Sequence, residues 1–130
     1  MNSLSVLVIE DDTMVGILLG ETLEAMGYDV CAIESTEADA VNTAARCRPD
    51  LMIVDVCLIE GNGISAVEAI TRDGPVPHVF VNGDVGLANS GPQNFEPNSI
   101  VLRKPYREAD LVGAIKRAFG AGPMHLPQPA

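Results

Sequence analysis

The chain has 130 residues, 47% of them hydrophobic and 20% charged, and a formal net charge of −10. That length and apolar fraction suit one compact domain with a real core, and exclude a disordered chain or a membrane span of roughly 18 apolar residues. The acidic balance disfavours binding to nucleic acid or anionic membranes, which needs clustered cations.

The charge is uneven. From Val101 onward there are five cations and two acids, whereas residues 1–100 hold three cations and sixteen acids. Residues 1–11 have no basic leader segment, and three cysteines (Cys31, Cys47, Cys57) are an odd number. Both features predict a cytoplasmic chain with reduced thiols.

Val6–Ile9 is a continuous apolar run, as expected of a strand covered on both faces. Val15, Leu18, Leu19, Leu23 and Met26 fall on one helical stripe that ends at Gly27. Tyr28–Ile33 reads as a second strand. Ser35 or Thr36 can cap the next helix, with Glu37 and Asp39 in its first turn and Ala38, Val41 and Ala45 facing inward. Beyond Pro49, Leu51–Val54 is a third buried strand, closing on Asp55.

Ile64, Val67 and Ile70 mark a short helix stopped by Asp73-Gly74-Pro75. Val79–Val81 and Ile100–Leu102 are the fourth and fifth strands. Glycines and prolines between Gly83 and Ser99 allow at most a short or frayed helix. Leu111 or Val112, Ile115 and Phe119 stripe a last helix ended by Gly120, and residues 121–130 read as a flexible Pro-rich tail. Alternating strands and helices predict an α/β domain over residues 1–120, built on a parallel sheet with helices on both faces.

Ligands of such sheets bind beyond the carboxyl ends of the strands. There the chain places Glu10, Asp11 and Asp12 after strand one, Asp55 after strand three, Asn82 after strand four and Lys104-Pro105 after strand five. Gathered carboxylates repel unless a cation compensates, and a hard divalent ion such as Mg²⁺ suits oxygen ligands and phosphate. A carboxylate at such a site can attack a phosphoryl group while a lysine neutralises its oxygens.

Four motifs carry a resemblance: Val8-Ile9-Glu10-Asp11, Pro49 through Asp55, Gly63 eight residues further on, and Arg103-Lys104-Pro105. From about Leu4 to Phe119 the sequence resembles a response-regulator receiver domain of two-component signalling. The resemblance implies five parallel strands in order 2-1-3-4-5. Asp55 would accept a phosphoryl group from a histidine kinase or phosphotransfer protein, and output would pass to a downstream protein by contact. Glu10, Asp11, Asp55 and the carbonyl of Cys57 would hold Mg²⁺. Lys104 would contact the phosphoryl oxygens, and Pro105 would follow it through a cis peptide bond. The triplet allows either Glu10/Asp11 or Asp11/Asp12 as the acidic pair; Glu10/Asp11 directly follows the apolar run, and Asp12 then caps the first helix.

Two departures from the family pattern matter most, beside a smaller third, Ile59 where a proline is common in the loop after Asp55. The family's Thr or Ser after strand four is here Asn82, and its switch aromatic on strand five is here Val101. The usual hydroxyl–aromatic switch is thus absent, and a phosphorylation-independent interaction module is the alternative. An aspartyl phosphatase would carry a second acid where Cys57 stands, and a flavin phosphate would be repelled by three acids in the first loop. After Phe119 there is no room for an output domain, so the chain is a stand-alone receiver or a piece of a longer regulator.

Overall fold

The computed structural model describes residues 3–83 and 99–120. In chain order the elements are β1 (Ser5–Ile9), α1 (Thr13–Ala25), β2 (Asp29–Glu34), α2 (Glu37–Cys47), β3 (Leu51–Asp55), α3 (Gly63–Ile70), a 3₁₀ turn (Thr71–Asp73), β4 (His78–Asn82), β5 (Val101–Arg103) and α4 (Glu108–Gly120). All strands pair in parallel, in the order β2-β1-β3-β4-β5. This is the expected 2-1-3-4-5 α/β sheet. The segment expected to hold a frayed helix and the expected tail lie outside the described residues, apart from Gly83 and Ser99.

The sheet separates two apolar layers. One joins Val6, Val8, Ile53, Val79 and Val81 to Leu19 and Leu23 of α1 and to Leu111, Ala114 and Ile115 of α4. The other joins Leu7, Ile9, Met52, Val54 and Phe80 to Ala40 and Ala44 of α2 and to Ile64 and Val67 of α3. Strands β1 and β3 are buried along nearly their whole length because helices cover both faces. That burial fixes where β1 and β3 end, and hence where Glu10 and Asp55 emerge.

Three helix faces differ from expectation. In α1 the buried residues are Gly16, Leu19, Gly20 and Leu23, while Leu18 is 55% exposed beside exposed Met14 and Ile17. A Cβ on Gly16 would lie 2.9 Å from Ile33 Cγ2, so α1 sits close against β2 through its glycines. Glycine contributes no apolar signal, and the stripe read from the sequence is therefore rotated. In α2 the inward residues are Ala40, Thr43 and Ala44, not Ala38, Val41 and Ala45. Thr43 tolerates burial because its hydroxyl donates to Glu34. In α4, Ala114 and Ala118 take the inward face with Leu111 and Ile115, and Phe119 is 39% exposed.

The cysteines also correct the sequence reading. Cys31 of β2 and Cys47, the last residue of α2, form a disulfide, with Cα atoms 6.6 Å apart. Exposed Cys57 stands outside the pair. Counting cysteines says nothing about distance, and here the helix returning over its own strand brings two of three together. Among the described residues no helix is long and apolar enough to cross a membrane.

Candidate functional site

Three strand ends and two loops build the site. The β1 ladder continues one step past the strand, the Glu10 N–H donating to the Glu34 carbonyl at 2.8 Å. This turns the Glu10 side chain into the protein, where the residue is 4% exposed. Its Oε2 accepts the Asp12 N–H at 3.1 Å. Asp12 then caps α1, its Oδ1 accepting the Val15 N–H at 3.1 Å. The acidic triplet thus divides into two site-facing acids and a helix cap.

Asp55 closes β3 and is 7% exposed. Its Oδ1 accepts the Cys57 N–H at 3.1 Å. The loop beyond is drawn back to the sheet as the Val56 N–H donates to Val81 and the Gly63 N–H to Val56. Gly63, first residue of α3, packs directly on the backbone of Asp55; a Cβ there would overlap the Asp55 carbonyl oxygen and crowd Val54. The glycine spacing after Asp55 is therefore a packing requirement.

Lys104 arrives from β5, its N–H donating to the Asn82 carbonyl at 3.0 Å, and the Lys104–Pro105 peptide bond is cis. Its Nζ lies 3.5 Å from Glu10 Oε1 and 3.8 Å from Asp55 Oδ2. Oxygens of Glu10, Asp11 and Asp55 all come within 4.8 Å of one another. The structure therefore gathers Glu10, Asp11, Asp55 and Lys104, with Cys57 bonded to Asp55 through its N–H. Asn82 ends β4, half-buried, and is joined to Lys104 through its backbone.

Burial dominates the electrostatics. It pushes the Glu10 carboxyl up to about 7, with the Asp12 N–H opposing, the Asp55 charge adding and Lys104 opposing. Burial likewise raises Asp55, against the proton shared with Glu10, the Lys104 charge and the Cys57 N–H. One lysine faces three carboxylates, so the cluster retains excess negative charge when ionised. An all-oxygen donor set with surplus charge fits a small divalent cation. We expect Lys104→Met to raise the Glu10 and Asp55 pKa values further, because the lysine lowers both; a carboxyl-carbon NMR titration would read the shift.

One contributor is not visible in the sequence pattern. Glu37 Oε1 accepts the Asn62 N–H at 3.0 Å, and the Glu37 N–H donates to Glu60 at 3.1 Å, clamping the loop after Asp55. A contact between residues 25 apart leaves no local signal. Tyr106, next after Lys104-Pro105, packs against the core. Its phenol is raised by burial and also feels Lys104, Glu10 and Asp55, so it lies beside the site.

Residues 6–116 match the family model for the response regulator receiver domain. The chain belongs to that family. It is a receiver domain of two-component signalling, and its family consists in general of phosphoacceptors that work with kinases and bind Mg²⁺. The phyllosphere-induced regulator PhyR of Methylorubrum extorquens is 28% identical over 88% of this chain, which spans 43% of PhyR. The chemotaxis protein CheY of Thermotoga maritima is 23% identical over 86% of this chain and 94% of its own. Among solved structures, the Erythrobacter litoralis PhyR receiver domain superposes with a TM-score of 0.79 at 26% identity, covering 100% of this chain and 98% of that one.

Proposed function

We propose that this receiver domain accepts a phosphoryl group on Asp55 from a histidine kinase or phosphotransfer protein, in the cytoplasm, and signals by protein–protein contact. The observation that carries the reading is the placing of Lys104 Nζ within 3.8 Å of a buried strand-end carboxylate. The Asp55 carboxylate attacks phosphorus, the bond to the donor's histidine nitrogen breaks, and the imidazole leaves with that electron pair. Lys104 neutralises phosphoryl oxygens, while the Cys57 N–H fixes the orientation of the Asp55 carboxylate.

Glu10, Asp11, Asp55 and the Cys57 carbonyl would hold Mg²⁺. Bound there, the ion supplies charge neutralisation for the phosphoryl oxygens and relieves repulsion among the acids. In this reading the Asn82 amide NH₂ is a further donor to the phosphoryl oxygens. Residues 1–120 form the receiver unit in this reading, with 121–130 as a tail.

The test is intact mass after acetyl phosphate and Mg²⁺. One phosphoryl group is expected on the wild type and none on Asp55→Ala. A wild type that gains nothing, or an Asp55→Ala variant that gains as much, would falsify the reading.

Asn82 and Val101 favour a second reading, a module whose contacts do not depend on phosphorylation. Val101 pairs with Phe80 across β4 and β5 and is half-buried, so a small aliphatic group fills the place of the movable ring. Under that reading beryllofluoride leaves the amide spectrum around Asn82 unchanged. A large change there supports the phosphorylation switch.

A further inference from the structure

The Cys31–Cys47 bond occupies a particular place in the fold. The β1–β2 ladder pairs Val6 with Val30 and Leu7 with Ala32, so the register skips Cys31 at an irregularity in the edge strand. Cys31 is exposed, and Cys47 is half-buried at the C-terminal end of α2. Neither cysteine belongs to either buried apolar layer. Opening the bond therefore leaves both cores packed, and a reagent in solution can reach Cys31.

The two elements that the bond joins both touch the site. β2 supplies the Glu34 carbonyl that holds the Glu10 N–H. At the other end of α2, Glu37 bonds the backbone of Glu60 and Asn62, and Thr36 pairs with Glu60. Asn62 in turn pairs with Cys57, whose N–H holds Asp55. A single helix thus carries the disulfide at one end and the loop after Asp55 at the other.

We propose that Cys31 and Cys47 form a reversible thiol–disulfide site whose closure fixes α2 on β2 and steadies the loop after Asp55. A small-molecule disulfide such as oxidised glutathione is the co-reactant. The Cys31 thiolate attacks one of its sulfurs and expels one thiolate. The Cys47 thiolate then attacks Cys31 Sγ in the mixed disulfide and expels the second. The protein loses two thiol protons and two electrons, and both pass to the two small thiols released. Excess dithiol reverses the sequence. The consequence for signalling rests on the phosphoacceptor reading of Asp55, whereas the bond and its effect on the loop do not.

The experiment treats the full chain with oxidised glutathione or with dithiothreitol under native conditions. Alkylation with peptide mapping assigns the thiols, and amide hydrogen exchange is followed in residues 37–47 and 56–62. The oxidised chain is expected to show a 31–47 cross-link with Cys57 alkylated, opened again by dithiothreitol. Exchange in both segments is expected to be about threefold or more slower when the bond is closed. Cys31→Ser should keep a native circular dichroism spectrum and lose the redox dependence. The proposal is overturned by the absence of the cross-link, by a cross-link that dithiothreitol cannot open in the folded chain, or by equal exchange in both states. Redox-dependent exchange that persists in Cys31→Ser would assign the effect to thiolation of Cys47 or Cys57 instead of the bond and overturn it as well.

Discussion

Gly63→Ala is expected to destabilise the domain by roughly 3 kcal/mol or more, the upper range for forcing one methyl group into a packed interior. For a domain of this size that lowers the melting temperature by about 10 °C or more. The cause is local. The new Cβ would overlap the carbonyl oxygen of Asp55 and press on Val54, both in a fully buried strand. A long side-chain tip could swing aside, but β3 is paired to β1 and β4 along its length and cannot. Relief must come from α3, whose first turn would move away and pull on the Gly63–Val56 hydrogen bond. The substitution should therefore also slow labelling by acetyl phosphate, since the loop carrying Cys57 is displaced with it. Thermal melts followed by circular dichroism measure the first effect, and time-resolved intact mass the second. A melting temperature within about 2 °C of wild type would show that α3 yields without cost.

Most of the frame was legible because it rests on strong local patterns. The four-residue apolar runs of β1 and β3 have no other reading in an alternating chain, and their ends place Glu10 and Asp55. Lys104-Pro105 adds the third corner. What was misread depends on partners distant in sequence. The burial of Gly16 and Gly20 follows from contact with Ile33 and leaves Leu18 outside. In the alanine-rich α2, burial of Thr43 is set by Glu34, a partner on another element. The Cys31–Cys47 bond and the Glu37 clamp likewise need the helix to have folded back over its strand. Strand ends were readable, then, while helix rotation and cross-links were not.

Charge was the poorest guide, yet the site turns on it. Glu10→Gln is expected to stabilise the chain, freed of divalent cations by a chelator, by about 3 kcal/mol at pH 8. The Glu10 carboxyl rises from 4.5 to about 7 on folding. Folding thus favours the protonated acid, so this group's contribution is fully present below pH 4.5 and is lost as pH climbs through 7. Each unit of that shift is worth about 1.4 kcal/mol. Glutamine keeps an oxygen for the Asp12 N–H and removes the buried charge, so the variant should match wild type near pH 5 and surpass it by pH 8. Added Mg²⁺ should reverse the ranking at pH 8, because the ion favours ionised carboxylates and the variant has lost one. Below pH 7 the ion must displace a proton from Glu10, and wild-type affinity should fall by up to about tenfold per pH unit. Denaturant melts with chelator or Mg²⁺ across this range read all three effects. A variant less stable than wild type at pH 8 in chelator would mean that Lys104 alone compensates Glu10, and the case for a cation at this site would lose its electrostatic basis.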